Sequence, residues 1–144
     1  MNRLRVLIAD DQERVRWTVS CLLSPKCLIA GAVANGRQLV DAATALHPDV
    51  IVSDICMPLV TGPDAMRELR ARRLEIPFVL MGTNSVGAAE LIREGAVAFV
   101  DKIDIGYELE LAVFAASIGQ VYFSRSARSN LLGCSVRETV CNPI

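Results

Sequence analysis

Five short apolar runs, separated by segments with helical periodicity, constrain the fold of this chain more than any other feature of its sequence. The runs are continuous rather than alternating, which is typical of strands buried on both faces of a sheet. In the segments between them, apolar residues recur every three or four positions, as they do on one face of a helix. The five runs are RVLIA (5–9), LIAGAVA (28–34), DVIVSD (49–54), PFVLMG (77–82) and AVAFVDK (96–102).

This alternation predicts an α/β fold, a doubly wound parallel sheet covered by helices on both faces. Right-handed crossovers leave few strand orders for five strands, and we expect the flavodoxin-like (βα)5 order 2-1-3-4-5. Gly62-Pro63-Asp64 is typical of a helix start, and Gly95 of a helix end. In such sheets, sites form outside the carboxyl ends of the strands, near the switch point between strands 1 and 3.

Composition excludes several classes of protein. The 144 residues are 52% hydrophobic, and 15 Lys plus Arg face 16 Asp plus Glu, so we expect no direct contact with nucleic acid. No apolar run reaches membrane-spanning length, and no signal peptide precedes the first strand, so we expect no membrane association. The five cysteines are irregularly spaced and His47 is the single histidine, which leaves no zinc ligand set. A cytoplasmic protein with reduced thiols is the interpretation that fits.

Polar side chains collect where the predicted strands end. The residues are Asp10 and Asp11 after strand 1, Asp54 at the end of strand 3, Gly82, Thr83 and Asn84 at strand 4, and Lys102 at strand 5. Three crowded carboxylates raise one another's pKa unless a cation joins them, and Mg²⁺ is bound by carboxylates, waters and phosphate oxygens. Asp10 and Asp11 would then hold Mg²⁺, Asp54 would attack phosphorus, and Lys102 would neutralise phosphoryl oxygens.

Each of these residues also has an ordinary explanation. Asp10 or Asp11 could cap the helix that starts near Gln12, Lys102 could be solvated, and Thr83 could belong to a turn. Their combination at matching strand ends favours the site.

The motifs ADD (9–11), SDICMP (53–58), TG (61–62), a threonine just after strand 4 and GAVAFVDK (95–102) together resemble a response-regulator receiver domain of two-component signalling. The resemblance covers about residues 4 to 120. It implies that Asp54 accepts a phosphoryl group from a sensor histidine kinase, with Mg²⁺ held by Asp10, Asp11, Asp54 and the backbone carbonyl of Cys56. It also implies that Lys102 pairs with the phosphoryl oxygens and that Phe99 is the switch aromatic.

Two positions depart from the family pattern. Gly82 stands where the family places Ser or Thr, five residues after a proline like Pro77, and the segment from Pro77 to Lys102 is shorter than usual. Either Thr83 supplies the switch hydroxyl, which we favour, or the donor is missing. Ile103 replaces a proline, which is common in receivers that precede LuxR-type helix-turn-helix output domains.

The end of the chain resembles the same subgroup. The segment GQVYFSRSARSNLL (119–132) is similar to the one that leaves those receivers. We therefore expect a receiver domain at residues 1–120, and a tail or the start of a linker to an absent output domain at residues 121–144.

The expected function is a phosphoacceptor, whose face of helix 4, strand 5 and helix 5 switches to control an output, which we expect to be transcription. Phosphorylation would also favour a homodimer, and the chain would catalyse only its own phosphorylation and dephosphorylation. A receiver-like interaction module that acts without phosphorylation is the alternative, which Gly82 keeps open. A phosphate-ester hydrolase is disfavoured, because no loop exceeds about ten residues and so none could cap a substrate pocket.

Overall fold

The strands and helices follow one another along the chain as the sequence predicts. The computed structural model describes residues 3–83 and 87–134, with side chains up to residue 129. The strands are β1 (Leu4–Ala9), β2 (Cys27–Val33), β3 (Val50–Asp54), β4 (Phe78–Gly82), β5 (Ala98–Asp101) and β6 (Tyr122–Phe123). The helices are α1 (Glu13–Leu23), α2 (Gly36–Leu46), α3 (Gly62–Ala71), α4 (Ala88–Glu94), α5 (Ile105–Ser117) and α6 (Arg125–Cys134), and a 3₁₀ turn (Lys102–Asp104) joins β5 to α5.

All strand pairs in the sheet are parallel, and the strand order is β2-β1-β3-β4-β5-β6. The predicted order 2-1-3-4-5 is confirmed, with a sixth strand added beside β5. Because β1 lies between β2 and β3, the chain reverses its direction of winding there. The carboxyl ends of β1 and β3 therefore border the crevice in which sites form in sheets of this kind.

Helices cover both faces of the sheet, which explains why the strands are apolar throughout. Every residue of β3 and β4 is buried. On one face, α1 and α5 pack on the sheet through residues such as Val19 and Leu109. On the other face, α2, α3, α4 and α6 pack around residues such as Leu39 and Leu69. Among the described residues, no helix is both long and apolar enough to cross a membrane.

The predicted signals for the ends of helices are confirmed at α3 and α4. Pro63 lies in the first turn of α3, and the Thr61 hydroxyl accepts a hydrogen bond from the Asp64 amide at 3.1 Å. This is the arrangement expected of a helix N-cap. Gly95 follows α4 with a φ of 128°, a backbone conformation that L residues with a Cβ rarely adopt.

The sequence analysis did not predict β6 or α6, since a strand of two residues has no detectable periodicity. The amide of Tyr122 donates to the Val97 carbonyl at 3.1 Å, and that of Ser124 donates to the Phe99 carbonyl at 3.0 Å. Ala127 of α6 is fully buried in the core. Because β6 pairs with β5, β5 is an internal strand of the sheet. The domain boundary at residue 120 stays a prediction, and residues 135–144 lie outside the described part.

Candidate functional site

Three carboxylates converge at the carboxyl edge of the sheet. Asp10 and Asp11 follow β1, Asp54 is the last residue of β3, and these two strands are neighbours. One carboxylate oxygen from each of the three residues lies within 4.8 Å of the others. Asp10 is fully buried and Asp54 is nearly so, whereas Asp11 is exposed. The predicted acidic cluster is therefore present, with a buried floor and one side open to solvent.

Lys102 reaches the same cluster from the end of β5, two strands away from β3 along the same edge of the sheet. It begins the 3₁₀ turn after β5, and its Nζ lies 3.3 Å from Asp54 Oδ2 and 3.4 Å from Asp10 Oδ2. The Lys102 side chain is 21% exposed, so this ion pair is largely shielded from water. One ammonium group is thus shared by two buried carboxylates.

The pKa values of Asp54 and Lys102 reflect this crowding. Burial, and then the charge of Asp10, raise the pKa of Asp54, while Lys102 and the backbone amide of Cys56 oppose the shift without overcoming it. Burial alone would lower the pKa of Lys102, but Asp54 and Asp10 together raise it above its usual value. The lysine therefore stays charged at neutral pH, and Asp54 is less acidic than an exposed aspartate.

Among the described residues, three carboxylates face the single ammonium group of Lys102 in this cluster, and one of the two Asp10 oxygens lacks a hydrogen bond. Asp10 Oδ1 accepts a hydrogen bond from the Gln12 amide at 2.9 Å. Asp10 Oδ2 has no hydrogen-bond partner among the described residues, and only the long ion pair with Lys102 approaches it. Burying such a group without a partner is costly. Three carboxylates within reach of one another, one of them with an oxygen that accepts no hydrogen bond from the described residues, are a ligand set that fits Mg²⁺.

The loop after β3 shapes the remaining wall. Cys56 is exposed, and its backbone amide favours the charged form of the Asp54 carboxylate, which lowers the pKa of that group. The amide of Gly62 donates to the Ile55 carbonyl at 3.0 Å, which folds the loop back onto the strand end. A Cβ at Gly62 would collide with the Asp54 carbonyl oxygen and the Ser53 hydroxyl. Gly62 is therefore required for this close approach, a packing role that its place in the TG motif did not indicate.

Around Gly82, at the end of β4, an aromatic ring packs against the backbone instead of charged groups meeting one another. Thr83 is exposed directly after β4, and Asn84 lies outside the described residues. The side chain of Phe99 is 1% exposed and lies inward, against Gly82. A Cβ at position 82 would come within 3.1 Å of Phe99 Cζ and 3.2 Å of Ile55 Cδ1. The missing side chain of Gly82 thus leaves the room that the Phe99 ring occupies.

Of the predicted site residues, the structure brings Asp10, Asp11, Asp54 and Lys102 together and sets Cys56 beside them. Thr83 lies at the rim, with its role untested. The sequence analysis missed Gln12, whose amide bonds Asp10, because backbone donors leave no compositional signal.

Comparisons with known proteins agree with this arrangement. A family model described as the response regulator receiver domain matches residues 6–110. The chain is 32% identical over 112 residues to the protein-glutamate methylesterase/protein-glutamine glutaminase 1 of Methanosarcina mazei, a match that covers 74% of this chain and 31% of that protein. The corresponding enzyme of a Nocardioides species is 34% identical over 108 residues, covering 74% of this chain and 28% of its own length. The chain therefore spans about a third of the length of these relatives.

A solved structure extends the likeness to the whole fold. The two-component response regulator of the LuxR family from Aurantimonas sp. SI85-9A1 superposes with a TM-score of 0.86 at 21% identity, covering 94% of this chain and 100% of that one. At that identity the likeness concerns the fold alone. A response regulator of the predicted LuxR type is thus among the structural neighbours, whereas the two sequence relatives described above are protein-glutamate methylesterases.

Proposed function

This chain belongs to the response regulator receiver domain family, and from that premise we propose that it is a phosphoacceptor whose reacting group is the Asp54 carboxylate. The observation that carries the proposal is the shared ion pair of Lys102 with Asp54 and Asp10, in which the Asp10 oxygen has no hydrogen-bond partner among the described residues. Such a site has the nucleophile, the cation and the metal ligands that phosphoryl transfer to a carboxylate requires.

In the proposed reaction, one oxygen of Asp54 attacks the phosphorus of a phosphohistidine on a sensor histidine kinase. The new P–O bond forms as the P–N bond breaks, and the departing imidazole keeps the electron pair of that bond. The product is an aspartyl phosphate. Because Lys102 Nζ already lies 3.3 Å from Asp54 Oδ2, it is placed to pair with an equatorial phosphoryl oxygen as charge gathers there.

Mg²⁺ would be held by Asp10, Asp11 and Asp54, with the carbonyl of Cys56 as the further ligand that the family resemblance implies. When bound, the ion neutralises phosphoryl oxygens and orients them for transfer. The Asp10 oxygen without a hydrogen-bond partner supports this assignment, since a cation would satisfy it. The carboxylates of this chain supply the ligands, and Lys102 supplies the second positive charge.

We further propose how phosphorylation of Asp54 would control an output. A phosphoryl group on Asp54 adds negative charge and acceptor oxygens, which Thr83 would meet with its hydroxyl. The face of α4, β5 and α5 would then change and act on an output, transcription in our proposal, with a homodimer as the phosphorylated form. The cytoplasmic location expected from the cysteines stays a prediction.

A receiver-like interaction module that acts without phosphorylation is the second candidate, and one observation favours it. Phe99 lies inward against Gly82, 1% exposed. If this ring is the switch aromatic, the absent side chain of Gly82 gives it room to lie inward without help from a phosphoryl group. The two candidates differ in whether β5 and α5 respond when Asp54 is modified.

Incubation with Mg²⁺ and acetyl phosphate, followed by intact mass measurement, tests the proposal. We expect one phosphoryl group on the wild-type chain, none without Mg²⁺ and none on Asp54→Asn. Asp64→Asn is the matched control, because Asp64 is an exposed residue of α3, and this variant should be phosphorylated normally. An adduct that persists in Asp54→Asn would refute the assignment. Phosphorylation without any change in the amide NMR signals of β5 and α5 would favour the second candidate.

A further inference from the structure

The segment that follows α5 returns to the sheet and pairs with β5, the strand that ends just before Lys102. Residues 122–129, the C-terminal segment, comprise β6 and the start of α6. Their anchor is Ser124, which is fully buried although it is polar. The family match ends at residue 110, so the segment lies beyond the region matched as a receiver domain.

Ser124 makes two hydrogen bonds to the backbone of β5, the strand that leads into Lys102. Its hydroxyl oxygen accepts a hydrogen bond from the Asp101 amide at 2.9 Å, and this contact is buried. Its own amide donates to the Phe99 carbonyl at 3.0 Å. Lys102 is the next residue after Asp101, so Ser124 holds the backbone immediately before the 3₁₀ turn that carries the lysine.

Further contacts hold the C-terminal segment in place. The Ser126 amide and hydroxyl donate to Asp104 at 2.8 and 3.0 Å. The Tyr122 hydroxyl donates to Glu108 at 2.6 Å, and the Arg125 amide donates to the same carboxylate at 2.9 Å. These partners, Asp104 and Glu108, belong to the turn and to the first turns of α5.

We propose that Ser124 is a positioning residue of the phosphorylation site: it fixes the turn at Asp101–Asp104 and thereby the distance from Lys102 to the carboxylates. This rests on the function proposed above. The physical reason is that a lysine side chain is long and flexible, so its ammonium group is held at two carboxylates only as firmly as its backbone is held. Without the Ser124 hydroxyl, the buried Asp101 amide loses its acceptor and the turn must shift to find another.

The proposed role of Ser124 couples Lys102 to the C-terminal segment in both directions. If the position of Lys102 depends on Ser124, then any event that moves Lys102 toward a phosphoryl group also acts on the C-terminal segment. The segment would therefore sense phosphorylation through the backbone of β5 and the turn. This connects the site to whatever follows residue 134, without requiring the Thr83 hydroxyl.

The test is a double-mutant cycle of S124A with K102M, with S126A as the matched control. Ser126 lies in the same segment and donates its hydroxyl to Asp104, but among the described residues it makes no hydrogen bond to Asp101. We expect S124A to slow phosphorylation by acetyl phosphate about tenfold, because a small misplacement of a charged group costs that much. S126A should stay within about twofold of wild type, as expected for a change that leaves the turn in place.

Mg²⁺ affinity, measured by calorimetry without any phosphodonor, is the second readout. Lys102 repels a cation at the carboxylates, so K102M should bind Mg²⁺ more tightly, and S124A should move part of the way in the same direction. In the K102M background, S124A should have no further effect on Mg²⁺ affinity. A merely structural role would lower the unfolding temperature equally in both backgrounds and leave Mg²⁺ affinity unchanged.

The outcomes separate the two proposals. If wild type is phosphorylated and S124A behaves like S126A, or if S124A and K102M are additive, the role of Ser124 is wrong and the proposed function stands. If wild type takes no phosphoryl group, the proposed function fails, and the Mg²⁺ cycle still decides the role of Ser124. Should S124A fail to fold, S124C replaces it in the same cycle, because a thiol fills the buried position but is only a weak acceptor for the Asp101 amide.

Discussion

Replacement of Lys102 by methionine removes the one ammonium group that Asp10 and Asp54 share among the described residues. Methionine keeps most of the length of the side chain and none of its charge. Without Mg²⁺, we expect K102M to be less stable than wild type at pH 7, because two carboxylates remain buried side by side with no cation between them.

The magnitude follows from the burial of the three side chains. Removing one partner of a fully buried ion pair costs about 3–5 kcal/mol. The Lys102 side chain is 21% exposed and that of Asp54 is 9% exposed, so water screens part of the interaction. We therefore expect a loss of about 2 kcal/mol in the free energy of unfolding, which for a chain of this size lowers Tm by about 8 °C.

Thermal and urea unfolding followed by circular dichroism measure this loss, with Lys26→Met as the matched control. Lys26 pairs with Glu110 at 3.6 Å, but the two side chains are 67% and 40% exposed, so the control should lose almost nothing. The K102M deficit should shrink as the pH falls from 7 toward 5, because the pKa of Asp54, already raised in wild type, rises further and the carboxylate takes up a proton. A deficit equal to that of Lys26→Met, or one that does not change with pH, would refute the reasoning.

Three further variants test other parts of the account. The folded chain raises the pKa of Asp54, so the contribution of Asp54 to stability is present at low pH and is lost as the pH rises through the folded pKa. D54N should therefore raise Tm at pH 7 and flatten the pH dependence of unfolding. T83A should still be phosphorylated, but the amide NMR changes in β5 should be smaller than in wild type, and a full response would remove Thr83 from the switch. G82A should lose about 1–3 kcal/mol in urea unfolding, because its new methyl group meets Phe99 at 3.1 Å and Ile55 at 3.2 Å, and unchanged stability would mean that the ring moves freely.

Much of the fold could be predicted because the pattern of the chain is strong where burial is complete. Strands buried on both faces leave continuous apolar runs, so β1, β3 and β4 were found with only small errors at their ends. Two elements, β6 and α6, could not be found in this way. A strand of two residues is specified by backbone hydrogen bonds to β5, and these depend on tertiary structure rather than on a repeating pattern.

The site was predictable for a related reason. The carboxyl ends of parallel strands meet at one edge, so the strand order alone places Asp10, Asp54 and Lys102 near one another. The sequence could not reveal that Phe99 packs against Gly82, since that depends on the space left by an absent side chain. Nor could it reveal the role we propose for Ser124, whose hydroxyl accepts a hydrogen bond from a backbone amide 23 residues away along the chain.

The central claim, that Asp54 accepts the phosphoryl group, is tested most directly by locating the modified residue. Borohydride reduces an acyl phosphate to an alcohol, so a phosphorylated aspartate becomes homoserine, which peptide mass spectrometry detects by position. After reaction of the wild-type chain with Mg²⁺ and acetyl phosphate, the account predicts homoserine at position 54 and at no other aspartate. Homoserine in place of Asp10 or Asp11, or none at all in a chain that binds Mg²⁺, would contradict it.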